Sequence, residues 1–441
     1  MTVLLYVLGI LVVAVGVVLS IGLHEVGHLV PAKLFGVRVT QYMIGFGRTV
    51  LSRRRGETEY GLKLVPLGGY ISMVGMFPPA KGGGRGRTAS TGFFNTLVQD
   101  ARDSSQEQIQ PGEEHRAFYR LAVWKRVVIM LGGPTMNLLL GILFTGIVLT
   151  GFGVYQPTTT VASISKCIVP ATQATTVCRS TDQAAPAANS GLQPGDRITA
   201  IDGRAVSSWT DVTDVIRTSA GTAITLTVAG TGGERRITVT PASNTVAVTD
   251  ANGAPVRNAA GTLETRTVGF IGISPTEQLT RQPATAVLPA VWNNTVSVGA
   301  VIIHLPQRLV GVAQAAFGSA PRDPNGPISV VGVGRVAGEI ASSPEVPVVS
   351  KVASLVGILG SLNIALFVFN LIPLLPLDGG HVIGALWEGL RRSIAKLFRR
   401  RDPGPVDTAK LMPLTFAVAI LLGGMSLLLI YADIVRPVTL F

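Results

Sequence analysis

Four long apolar segments constrain this chain more than any other feature. They cover residues 3–30, 127–152, 352–377 and 411–431. About 20 apolar residues, at 1.5 Å each, cross the roughly 30 Å of hydrocarbon in a bilayer, and every one of the four is long enough. Within lipid each backbone N–H and C=O must find its partner inside the protein, so such segments fold as helices. Composition agrees: 47% of the 441 residues are hydrophobic, 14% are charged and mean hydropathy is +0.45, whereas a soluble domain carries about a quarter charged residues. The first segment has no basic start and no small-residue cleavage site, and it carries His24, Glu25 and His28. It therefore reads as a retained span rather than a signal peptide.

Charge sets the orientation. The chain has 37 Lys and Arg against 25 Asp and Glu, a net charge of +12. The excess sits in short clusters beside the apolar runs, as cytoplasmic flanks do, which argues against a nucleic-acid surface. Arg53, Arg54, Arg55, Lys81, Arg85, Arg87, Lys125 and Arg126 lie between the first two spans. Arg391, Arg392, Lys396, Arg399, Arg400 and Arg401 lie between the last two. Both loops are thus expected in the cytoplasm, and residues 153–350 and both termini outside. Cys167 and Cys178 by themselves fit a disulfide, two free thiols or part of a metal site. No further cysteine or histidine lies near them, which disfavours metal, and an external location favours a disulfide. Residues 284–317 are apolar but broken by Asn293, Asn294, His304, Pro306 and Arg308. A fifth span there would put both neighbouring loops on the wrong sides, so the segment is expected to form helices along the outer surface.

The resulting architecture is an α-helical polytopic membrane protein with four transmembrane helices, a membrane-associated β-hairpin region and an inserted α+β domain. In order, the expected parts are a first span (1–35), a β-region (36–77), a Gly-, Pro- and Ser-rich linker with room for a surface helix (78–126) and a second span (127–152). An external domain with the cysteine pair (153–245) and a connector with surface helices (246–350) follow. The chain ends with a third segment (351–387), a basic loop (388–409), a fourth span (410–433) and a tail (434–441). The external domain contains Gly191-Leu192-Gln193-Pro194-Gly195-Asp196 and Ile201-Asp202-Gly203, then a helix pattern at 209–218 and strand patterns at 224–228 and 236–239. It resembles a PDZ domain of the bacterial protease type. Such a domain takes an extended peptide as an added strand or serves as a size filter; a β-rich spacer without a ligand is the bland alternative.

His24-Glu25-Val26-Gly27-His28 is an H-E-x-x-H pattern. Residues four apart share a helix face, so both imidazoles can reach one zinc ion, with Glu25 beside them as general base. A bound zinc lowers the pKa of its water to about 7. Two helix histidines bonded to neighbours are the alternative, but two histidines and a glutamate within an apolar span are costly and call for a function. Zinc needs a third protein ligand. Asp378 is the only aspartate in or at the edges of the other spans up to the basic loop, in Asn370-Leu371-Ile372-Pro373-Leu374-Leu375-Pro376-Leu377-Asp378-Gly379-Gly380. The prolines break the helix and the glycines let the backbone bend. The other reading of Asp378 is a helix cap at a cytoplasmic turn. On the topology above, His28 and Asp378 both lie toward the cytoplasmic side and can meet.

These motifs, taken in order, resemble the site-2 protease family, in its bacterial subgroup that cleaves anti-sigma factors, and most closely actinobacterial members with a single PDZ. Gly133-Pro134-Thr135-Met136-Asn137 and Gly326-Pro327-Ile328-Ser329 match its pattern as well. The resemblance implies one Zn2+ held by His24, His28 and Asp378, with Glu25 as catalytic base. It implies that Asn370 and Pro373 help hold an unwound substrate strand and that the stretch around Gly68, Gly69 and Tyr70 is a membrane-re-entrant β-loop able to pair with it. Asn137 corresponds to a polar position near the site, and His381 has no assigned role. The implied substrates are single-span membrane proteins already trimmed by a site-1-type protease, in a bacterial cytoplasmic membrane, with no nucleic-acid partner. A non-catalytic PDZ scaffold and a metal transporter are the rival classes. Intact Glu25 argues against the first, and the lack of further charged residues along the spans against the second.

Overall fold

The computed structural model describes residues 2–79, 109–169, 182–248, 262–318 and 326–438, with residues 98–99, 102, 105, 178–179, 256 and 322–323 as short pieces. Most of the linker expected at 78–126, with its surface helix, lies outside the described residues. The chain divides into two compact units, one of residues 1–152 and 283–441 and the other Gly153–Gln282.

The first unit begins with helix α1 (Thr2–Leu34), strands β1 (Val39–Arg55) and β2 (Thr58–Met73), and helix α2 (Val123–Gly146), which a π-helical turn extends to Phe152. The second unit holds β3 (Val154–Ile164), β4 (Arg197–Ile201), α3 (Trp209–Thr218), β5 (Ile224–Gly230), β6 (Gly233–Val239), β7 (Ala242–Ala247), β8 (Thr265–Phe270) and β9 (Ile273–Thr280). The first unit then resumes with α4 (Val287–Ile303), α5 (Leu305–Phe317), α6 (Val330–Ser342), α7 (Val348–Asn370), α8 (Asp378–Leu397) and α9 (Met412–Val435).

Small residues and buried polar pairs hold the helices of the first unit together. Such packing is expected where lipid removes the hydrophobic drive between helices. A Cβ on Gly27 would lie 2.3 Å from the Gly132 carbonyl oxygen, and one on Gly132 would lie 2.0 Å from that of Gly27. At that crossing α1 and α2 touch backbone to backbone. Gly9 meets Ala337 and Ala341 of α6, and Gly141 of α2 meets Ile364 of α7. Asn363 of α7, fully buried, donates to Ser20 Oγ of α1 at 3.0 Å.

Among the described residues five helices are long and apolar enough to cross a membrane, one more than the four expected; the additional one is Ala284–Ile303. The sequence reading lays this segment on the outer surface. In the structure α4 packs its Val287 and Val291 among Leu138, Ile142, Ile364 and Val368 of α2 and α7, and Asn294 donates to Ser361 Oγ. α5 then returns along α9, with Val312 and Ala316 against Leu429 and Ala432 and with Phe317 stacked on Tyr431. Val287 sits by Gly146 at the end of α2, and Phe317 sits near the end of α9. One end of the α4–α5 hairpin thus lies where α2 finishes and the other where α9 finishes.

β1 and β2 are long and folded back on themselves. Residues 39–44 pair with 69–73 on one side and with 59–62 on the other, while 51–55 pair with 58–62. The strand order is therefore 69–73, 39–44, 59–62, 51–55. At its base Arg116 bonds Glu57 at 2.7 Å and Arg38 bonds Glu113 at 2.6 Å.

In the second unit the antiparallel sheet runs β9-β3-β4-β5-β6, and β7 and β8 form a separate pair. Alternate residues Ile198, Leu226, Val228, Ile237 and Val239 face a core closed by Val212 and Ile216 of α3. Ser208 and Asp211 cap α3 reciprocally. Cys167 and Cys178 form a disulfide.

Candidate active site

The site is built where α1, α2 and the start of α8 converge. His24 and His28 lie one turn apart on α1, on the face turned toward α2. The third segment does not run as helix to residue 377. α7 stops at Asn370, the Pro-containing stretch 371–377 forms turns, and Asp378 opens α8 within its first turn. Close approach fixes that fold-back: a Cβ on Gly379 would lie 2.4 Å from the Leu371 and Ile372 carbonyl oxygens, and one on Gly380 2.6 Å from Leu375 N.

The fold-back brings Asp378 to both histidines. Its Oδ2 lies 3.4 Å from His24 Nε2 and 3.3 Å from His28 Nε2, and the two Nε2 atoms are 3.2 Å apart. Asp378 Oδ2 is buried and receives no hydrogen bond. Ligand atoms about 2.0–2.1 Å from a tetrahedral ion are separated by about 3.3–3.4 Å, so the three atoms outline one face of such a tetrahedron. The space between them is kept open by Gly133 of α2. A Cβ there would come within 2.2 Å of His28 Nε2 and 2.7 Å of His24 Nε2. Among the described residues this trio is the one group of three His, Cys, Asp or Glu side chains able to hold a metal.

Glu25 is buried beside the trio. The β-region reaches it through Gly69, where a Cβ would lie 2.8 Å from Glu25 Cγ and 3.1 Å from Oε1. Gly68 has φ +143, and a Cβ there would strike the ring of Phe46, which stacks on Tyr70. Tyr42 donates to the Gly22 carbonyl at 2.7 Å, tying β1 to α1 just ahead of His24. Asn137 of α2 meets His24 Nδ1 at 3.1 Å. Asn370 is half-buried at the end of α7, and Pro373 is exposed on the turn that leads to Asp378. His381 lies on α8 one turn past Asp378 and outside the trio.

Two participants escape a reading of side-chain chemistry. The Ile129 carbonyl engages His28 Nδ1 at 2.7 Å, and Gly133 acts through the side chain it lacks. The one available signal was the glycine pair Gly132-Gly133 in an apolar span, a sign of close helix approach.

The sequence matches the profile of peptidase family M50 over residues 12–400. The chain belongs to this family, that of the site-2 proteases, and is a multi-pass membrane metalloprotease. It is 31% identical over 445 residues, 99% of this chain and 100% of the relative, to zinc metalloprotease Rip1 of Mycobacterium tuberculosis. It is similar to Rip1 of Mycolicibacterium smegmatis, at 31% over 448 residues and 98% of this chain and 99% of that one. Zinc metalloprotease RasP of Geobacillus kaustophilus is 25% identical over 422 residues, covering 83% of this chain and 86% of the relative.

Proposed function

We propose that this M50 peptidase is a zinc-dependent intramembrane endopeptidase that cuts the transmembrane segment of single-span membrane proteins. One observation carries the reading: two Nε2 atoms and one carboxylate oxygen at tetrahedral separations of 3.2–3.4 Å, around a gap left by Gly133 and beside a buried glutamate. His24, His28 and Asp378 would hold the metal. When bound, zinc supplies Lewis acidity toward water and the scissile carbonyl.

Glu25 is the general base. It takes a proton from the attacking water and delivers it to the departing amine, so that water adds across the peptide bond. A helical carbonyl is already hydrogen-bonded, so the substrate must unwind before attack. The 69–73 segment offers a way to hold it. Among the described strands it pairs only with 39–44, which leaves its other edge for an added strand, and Gly69 sets that strand beside Glu25. Asn370 and Pro373, on the turn that delivers Asp378, serve as further strand contacts. The Gly153–Gln282 unit we read as a PDZ domain that binds a peptide end or filters by size.

The substrates we propose are anti-sigma factors and similar proteins already trimmed by a site-1-type protease. The setting is a bacterial cytoplasmic membrane, with both termini and the PDZ outside and the active site toward the cytoplasm. Membrane-derived peptides compared between cells carrying the wild type and Glu25→Gln test this. Fragments cut within one or a few single-span segments should appear only with the wild type; identical peptide sets would contradict the proposal.

A further inference from the structure

The two imidazoles differ in what meets their far nitrogens. His28 Nδ1 faces the Ile129 carbonyl oxygen. A carbonyl only accepts, so His28 Nδ1 carries the hydrogen, and Nε2 keeps its lone pair toward Asp378 and His24. His24 Nδ1 faces the side-chain amide of Asn137, whose side chain is 1% exposed. An amide can donate through Nδ2 or accept through Oδ1. With Nδ2 toward the ring, His24 Nδ1 must accept and Nε2 must carry the hydrogen. That hydrogen occupies the lone pair a metal would use, and Asn137 Oδ1 is left buried without a partner. Turning the amide over gives Oδ1 a donor and frees His24 Nε2.

The spacing on α2 supports the second orientation. Ile129, Gly133 and Asn137 follow one another at intervals of four and share one helix face. Ile129 accepts from His28, and Gly133 leaves the gap between the two Nε2 atoms. Asn137 stands one turn further on, at His24. We propose that Asn137 is a positioning residue: its Oδ1 accepts from His24 Nδ1–H and holds the tautomer in which Nε2 is free for the metal. It does for His24 what the Ile129 carbonyl does for His28. The inference rests on the zinc reading above.

The test uses the full-length protein in detergent and reads metal affinity by competition with a chromogenic zinc chelator. Asn137→Leu, similar in size but without an acceptor, should lose about 10–100-fold in zinc affinity, while Asn137→Asp, which keeps an acceptor, should stay within about threefold of wild type. A role in packing alone would move both variants together. An unchanged Leu variant, or equal losses in both, would overturn the inference while leaving the zinc site standing. A second measurement needs no variant. The cobalt-substituted wild type should show two hyperfine-shifted, solvent-exchangeable ring N–H signals in its proton spectrum, one per histidine; a single signal would overturn the inference. Wild type that binds no zinc, or binds it as well after His24→Ala, would bring down the zinc reading and this inference together.

Discussion

α2 and α9 look alike as sequence and behave oppositely in the bundle. Both are long apolar helices, and each contains a pair of adjacent glycines. In α2, Gly132 touches the backbone of α1 and Gly133 faces the histidines. In α9, nothing lies within 4 Å of where a Cβ on Gly423 or Gly424 would be. Of the most apolar window of each helix, 39% is buried for the span containing α2 and 6% for that containing α9. α9 is anchored mainly near its end, where Asp433 bonds Arg322 at 2.9 Å and accepts from Ser329 N at 2.6 Å. A glycine pair thus has no fixed meaning. Its partner decides whether it brings two backbones together, opens room for chemistry or simply faces lipid.

The sharpest way to break this contrast is to fill both pairs. Gly133→Ala puts a methyl group against the Nε2 atoms of His24 and His28, so zinc content and cleavage should both fall, cleavage by about 10⁴-fold, or about 5 kcal/mol in the barrier. Gly424→Ala should leave both unchanged. Reporter cleavage and metal content measured on the same preparations decide it; equal effects of the two variants would end the comparison. Next in size is the anchor of α9. Asp433→Ala leaves Arg322 buried without its partner and should destabilise by about 3–5 kcal/mol, seen as a lower unfolding midpoint with the zinc affinity of the surviving folded fraction intact. Gly132→Ala should cost about 1–3 kcal/mol through overpacking at the α1–α2 crossing, in the same assay.

The smallest effect lies at the base of the β-region. The Arg116 guanidinium holds the Glu57 carboxyl below the usual carboxylate range. A group with a lowered folded-state pKa contributes its stability above its unfolded value, about 4.3 for glutamate, and loses it as pH falls through the folded value. Because the pair is partly exposed, Glu57→Gln should cost only about 0.2–1 kcal/mol at neutral pH. The difference from wild type should fade on acidification; a difference that grows on acidification would refute the sign.

The long apolar helices and the His24–Glu25–His28 motif on the first of them were legible because lipid tolerates little besides apolar helix and makes every polar residue conspicuous. Asp378 was legible for the same reason, aided by the prolines that end α7. Gly132 and Gly133 could be seen as glycines, but their roles belong to a helix crossing that local pattern does not encode. Ile129 left no trace, because its contribution is a backbone carbonyl. The packing of α4 could not be read locally either, because Asn294 bonds Ser361 of α7, a partner 67 residues away in the chain.

The proposed mechanism sets Glu25 beside a metal held by His24, His28 and Asp378. Its most direct test is cleavage of a purified single-span reporter in detergent by wild type and Glu25→Gln, with zinc measured on the same samples. One zinc per chain is expected in both proteins, with cleavage by the wild type alone. Cleavage by the Glu25→Gln protein at the wild-type rate would contradict it.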